Sequence, residues 1–240
     1  MITKIPFSKQ VKGNFNNGEI IENKPIGFPQ EGGIEKYSNI FYWANAVGIQ
    51  DSTIGLHPHR GFEIMSIVLE GNLKHYDTLL QKWISLKKGD VQLIKSGSGL
   101  SHAEALQKGS KIFQIWFYPD LRKTLLHKPT YNDYSKNILP NKRGVTTIIG
   151  KDSPIKLESE GVEIFEIEFE FENKSFQIEC DKDYYYSLYL MKGALKIQQV
   201  DMQKDDFIIV ESEESLHIEV SDGGCLLYIK SPIITSYPTY

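Results

Sequence analysis

An all-β fold in two similar halves is what this sequence predicts, and three observations carry the prediction. Short runs rich in Val, Ile, Phe, Tyr and Trp recur at close intervals, turns built on Gly, Asn and Asp separate them, and both halves repeat one order of strands and turns. That spacing suits a β-sandwich or a barrel. At 240 residues, 40% of them hydrophobic and 24% charged, the chain can bury a sizeable core as one large domain or two small ones.

Taken in order, residues 1–38 are rich in Gly, Pro, Asn and Lys, and breakers such as Asn16-Asn17-Gly18 and Gly32-Gly33 predict short strands joined by turns. Residues 38–48 carry Ile40, Phe41, Tyr42, Trp43 and Val47, which suits a buried strand. The next strand, 62–69, ends at Glu70-Gly71-Asn72, and 73–77 begins another. Residues 83–86 are short, and the turn Lys87-Lys88-Gly89-Asp90 leads into 91–94. A further strand, 111–118, stops at Pro119.

From there the character changes, with Pro119, Pro129 and Pro140 among scattered polar residues, so 126–143 reads as a linker and 121–126 as a helical turn. Strand patterns resume at 145–149, 162–171, 175–180, 184–190, 194–199, 206–210, 216–220 and 225–230. The expected domains are therefore 1–125 and 144–240. In the first, Glu70-Gly71-Asn72-Leu73 and Lys88-Gly89-Asp90 precede Val91-Gln92-Leu93-Ile94; in the second, Met191-Lys192-Gly193-Ala194-Leu195 and Lys204-Asp205-Asp206 precede Phe207-Ile208-Ile209-Val210. The repeated unit is a β-barrel.

Chemistry concentrates in the first half, in Leu56-His57-Pro58-His59-Arg60-Gly61-Phe62-Glu63 and Gly97-Ser98-Gly99-Leu100-Ser101-His102-Ala103-Glu104. Residues two apart on a strand leave the same face, with Cα atoms roughly 6.6 Å apart at about 3.3 Å rise per residue. Each pair can thus point into one interior, and three imidazoles with one carboxylate can surround a single divalent ion. Burying such groups unpaired is costly, and a metal is the simplest partner. The donor set suits Fe(II), Mn, Co, Ni or Cu better than a closed structural zinc.

Strand parity also aligns Glu63 with His57 and His59. His75, His127 and His217 have no ligand at motif spacing and read as exposed or hydrogen-bonded side chains, and the second half has no other histidine than His217. Arg60 should leave the opposite face and fix the motif by a salt bridge or backbone contact. Cys180 and Cys225, with no CxxC spacing, read as reduced thiols.

A net charge of -4 and a pI near 5.9 argue against a general nucleic-acid binder. The segment Met1-Ile2-Thr3-Lys4-Ile5-Pro6 lacks the apolar stretch of a signal peptide, and no run approaches the roughly 18 apolar residues of a membrane span, so a cytoplasmic location is expected.

The string from Gly55 to Glu63, with Leu69-Glu70-Gly71, Lys88-Gly89-Asp90-Val91-Gln92, the string from Gly97 to Glu104, Gln114-Ile115-Trp116, Pro129 and Tyr131, resembles the pirin family of bicupins. The resemblance implies two cupin β-barrels (double-stranded β-helices), the first metal-binding and the second metal-free. It implies one divalent transition metal, iron(II) first and Mn, Ni, Co, Cu or Zn as alternatives, held by His57, His59, His102 and Glu104. Glu63 would then support the ligands from behind. The segment Tyr37-Ser38-Asn39-Ile40-Phe41-Tyr42 departs from the DPF-type string common in pirins. The implied activity is that of a quercetin 2,3-dioxygenase acting on a flavonol and O2, with Glu104 both ligand and catalytic base. The alternative is an iron-dependent, redox-sensing regulator that works through a protein partner, without direct nucleic-acid binding.

Overall fold

The computed structural model describes residues 1–34 and 37–239, the side chain of Asn173 excepted. Its strands, in chain order, begin with β1 (Ile2–Ile5), β2 (Val11–Phe15), β3 (Ile20–Ile26), β4 (Ile40–Gly48), β5 (Ser52–His59) and β6 (Glu63–Glu70). They continue with β7 (Asn72–Asp77), β8 (Trp83–Lys87), β9 (Val91–Lys95), β10 (Leu100–Leu106), β11 (Lys111–Phe117) and β12 (Thr130–Tyr134). The remainder are β13 (Asn141–Lys142), β14 (Val145–Ile149), β15 (Glu163–Phe169), β16 (Ser175–Glu179), β17 (Tyr184–Ile197), β18 (Val200–Gln203), β19 (Phe207–Val210) and β20 (Ser215–Pro232). The all-β class is as expected, and among the described residues no helix is long and apolar enough to cross a membrane.

Two compact units make up the chain. One comprises Gln10–Ile138, Leu157–Ser159 and the last residues from Tyr237; the other comprises Met1–Lys9, Leu139–Lys156 and Glu160–Ser236. The first unit has a four-stranded sheet, β5-β10-β7-β8, and a seven-stranded sheet, β12-β9-β6-β11-β4-β3-β2. Side chains of the larger sheet fall into rows set by antiparallel register. Ala46, Ile112 and Val68 stand abreast and pack with Ile20, Leu73, Leu86 and Leu106 into an apolar floor. One row along, Gln114, Ser66 and Gln92 stand abreast. The row beyond reads Tyr42, Trp116, Ile64, Ile94 and Tyr131, so one polar row lies between two largely apolar ones.

Residues 126–143 do not form the expected linker. Strand β12 pairs with β9 from Thr130 opposite Lys95 to Tyr134 opposite Val91, and Pro129 sits just before it, where a missing N–H breaks no ladder bond. The short helix α1 (Leu121–Thr124) takes the place of the expected helical turn, and the Asp120 side chain caps it by accepting from the Arg122 N–H at 3.2 Å. The first residues also leave the expected 1–125 domain, because β1 pairs along β19 and Ile2 packs against the second unit's core.

In that second unit one sheet runs β1-β19-β17-β20-β15-β14-β13, with β16 on β20 and β18 on β17. Four expected strands there are two long ones, β17 and β20. The glycines that read as breaks are corners instead: the register shifts between Leu190 and Leu195, and a Cβ on Gly224 would lie 1.9 Å from the Lys192 carbonyl oxygen. Only glycine lets the two backbones close there, so the strands bend and continue.

Candidate metal centre

Strand β10 is the axis of the site. On one side His102 stands opposite His57 and Leu100 opposite His59; on the other His102 stands opposite Asp77 and Glu104 opposite His75. The register of β5 slips between Ile54 and His57, so a bulge turns both His57 and His59 to the inner face. The rings of His57, His59 and His102 lie 4.4–4.9 Å apart, and one ligand-type nitrogen from each lies within 4.8 Å of the others.

Their hydrogen bonding is incomplete in an informative way. The Nδ1 of His57 is 2.8 Å from the Gly55 carbonyl oxygen; a carbonyl only accepts, so Nδ1 carries the proton and Nε2 keeps its lone pair. Nε2 of His59 and both nitrogens of His102 are buried and have no hydrogen-bond partner among the described residues. Each such orphan costs about 1–3 kcal/mol unless something else satisfies it. Burial, reinforced by the neighbouring His102 and His57, holds the His59 imidazole down to about 3, and burial with His57 and His75 beside it does the same for His102. Both rings are therefore neutral at physiological pH, the form that binds a cation.

Glu104 is fixed from the facing sheet by the polar row. Gln92 donates to Oε1 at 2.6 Å, Ser66 reaches the same oxygen at 3.4 Å, and Gln114 donates to Oε2 at 2.7 Å. Gln114 is oriented in turn by the Trp116 indole N–H, which donates to its Oε1 at 3.0 Å. The Trp116 ring meets His59 edge-on at 4.8 Å and packs against Tyr42, Phe41 and Phe28, an aromatic wall on one flank of the imidazoles. Neutral imidazoles beside a carboxylate, several of their nitrogens without partners among the described residues, fit a divalent cation.

The Pirin family model matches residues 35–117, the span that holds these side chains. A quercetin 2,3-dioxygenase of Escherichia coli K12 is 24% identical over 184 residues, covering 75% of this chain and 77% of that protein. Among solved structures, the bacterial pirin YhhW of Escherichia coli in complex with nickel(II) superposes with a TM-score of 0.81 at 19% identity, over 98% of this chain and all of that one. A quercetin 2,3-dioxygenase of Acinetobacter baumannii gives a TM-score of 0.80 at 18% identity, over 98% of this chain and 80% of that one. Residues 35–117 are a pirin-family domain.

Glu63 does not stand behind the imidazoles. It starts β6 on the face opposite Ser66, and its buried carboxylate accepts from the backbone N–H groups of Glu158 at 2.6 Å and Ser159 at 2.8 Å and from the Ser159 hydroxyl at 2.6 Å. Arg60-Gly61-Phe62 separates it from β5, and the turn breaks the parity that aligned it with His57. Arg60 is exposed and makes no ion pair among the described residues, contrary to the expected anchor. His127 pairs with Glu158 and His217 approaches Glu219, both exposed as expected, and Cys180 and Cys225 are free thiols.

His75 is hydrogen-bonded, one of the two expected states. It is wholly buried beside His102, 2.8 Å from Asp77 through Nε2. Sequence reasoning missed Ser66, Gln92 and Gln114. Each is a lone polar residue inside an apolar strand, and that pattern is the signal, because a buried amide or hydroxyl needs a partner.

Proposed function

We propose that this chain is a metal-dependent dioxygenase that opens the central ring of a flavonol with O2 and releases carbon monoxide. The observation that carries the reading is the convergence of His57, His59 and His102 with unsatisfied buried nitrogens. Those three and Glu104 would hold one divalent ion, with iron(II) the first choice and Mn, Ni, Co, Cu or Zn as alternatives. Held there, a redox-active ion would supply Lewis-acid activation of a flavonol's oxygens and redox chemistry with O2.

The chain's own residues supply the rest. Glu104 accepts the proton of the flavonol hydroxyl, and Gln92 and Gln114 keep its two oxygens in place while it does so. The hydrogen bond from His57 to Gly55 leaves that ring's other nitrogen unprotonated and free to bind a cation. Trp116 and the aromatic residues behind it exclude water from one flank and offer a flat apolar surface to a flat substrate. The quercetin 2,3-dioxygenases of Escherichia coli and Acinetobacter baumannii named above support the substrate class.

The test is spectroscopic. Iron- or manganese-loaded protein mixed with quercetin in air should bleach the flavonol absorbance, and anaerobic samples or the His59→Ala variant should not. Loaded protein that turns over no flavonol with any redox-active divalent metal contradicts the reading, and redox-dependent capture of a protein partner would then favour the regulator.

A further inference from the structure

The four-stranded sheet carries one more imidazole than the proposed ligand set uses. Asp77 receives the Leu79 and Leu80 backbone N–H groups on Oδ1, at 2.9 and 2.6 Å, and faces His75 Nε2 with Oδ2 at 2.8 Å. A carboxylate bound in this way accepts only, so Nε2 carries the proton and Nδ1 carries the lone pair. The ring is stacked on Tyr131 at 4.3 Å with 13° between planes, which fixes its orientation. Yet Nδ1 is buried and has no partner among the described residues, and neither does the Tyr131 hydroxyl. A histidine kept only to brace the sheet would lose nothing by satisfying that nitrogen or exposing it.

The surroundings of that ring point to a cation. Ligand-type atoms of His75, His102 and Glu104 lie within 4.8 Å of one another, and all three side chains are fully buried. A carboxylate that orients one imidazole nitrogen so the other can bind is the arrangement metal sites use. Asp77 also adds a second negative charge behind the imidazole, which the His57 and His59 side lacks.

We propose that His75, His102 and Glu104 form a second, inner position for the ion, overlapping the outer set through His102 and Glu104. The proposal rests on the metal reading above and extends it. The half-buried His57 and His59 then serve entry from the open side, and the inner trio retains an ion that has passed them. Because two side chains are shared, the positions hold one ion between them.

Cobalt(II) titration followed by calorimetry and by the visible spectrum tests this. The unmodified chain should bind one cobalt ion. The His57→Ala/His59→Ala double variant should still bind one, more weakly and with an altered spectrum, and adding His75→Gln should abolish that binding. Unmodified chain that binds cobalt while the double variant binds none overturns the inner position and leaves the outer one standing. Unmodified chain that binds none overturns both. A second measurement leaves His75 untouched: copper(II) in the double variant should show by pulsed electron paramagnetic resonance the remote nitrogens of two coordinated imidazoles. A pattern of one imidazole overturns the proposal.

Discussion

Glu104 and Glu63 are both buried carboxylates, and their neighbours separate their roles. The first meets side-chain amides and imidazoles inside the barrel; the second is consumed by backbone N–H groups of residues 158 and 159. Glu104→Gln should therefore weaken metal binding and abolish flavonol turnover with the fold intact. Glu63→Gln should leave metal binding alone and cost about 1–3 kcal/mol of stability in a urea titration, since one amide oxygen cannot replace both carboxylate oxygens. Metal titrations giving the reverse order would transfer the ligand role to Glu63. Gln114→Leu removes a donor from Glu104 and an acceptor from Trp116, and should lower metal affinity about 10- to 100-fold, as loss of a supporting partner does elsewhere. Unchanged affinity would mean that the amide row only fills space.

At the scale of the element, the strands were legible wherever alternation and turn chemistry agreed, as in β7, β9, β14 and β16, whose bounds fall within a residue or so of the expected ones. The HxH pair and the HAE pair were legible for the same reason, because period two is robust within a strand. It failed across the Arg60-Gly61-Phe62 turn, which put Glu63 on the wrong face. The place of His75 opposite Glu104 was not legible, because it is set by the pairing of β7 with β10, a register that no local pattern records. The glycines of β17 and β20 misled for a related reason: Gly193 and Gly224 are needed where two backbones touch, and a sequence shows a glycine without showing what it touches. Gly224→Ala should cost about 2–3 kcal/mol, read as a lowered urea midpoint, because the added methyl overlaps the Lys192 carbonyl. It should leave metal binding in the other unit unchanged. A midpoint equal to that of the unmodified chain would refute the corner reading.

For the molecule as a whole, one unit carries the candidate metal centre. The repeat visible in the sequence copies strands and turns, but the imidazole cluster occurs only on β5, β7 and β10, and among the described residues the second unit offers no group of three ligating side chains close enough for a metal. Its interior is filled instead by Leu188, Leu190, Leu195, Ile208, Leu216 and Leu226. Elemental analysis should accordingly find one metal ion per chain, lost in His102→Ala, and two per chain would contradict that division. The measurement that reaches the central claim most directly is the carbon monoxide released per flavonol consumed, in metal-loaded protein incubated with quercetin in air. Ring cleavage at this centre predicts one molecule of carbon monoxide for each flavonol lost, and none from His102→Ala or from protein stripped of metal. Flavonol loss without carbon monoxide, or equal release from the stripped protein, would contradict it.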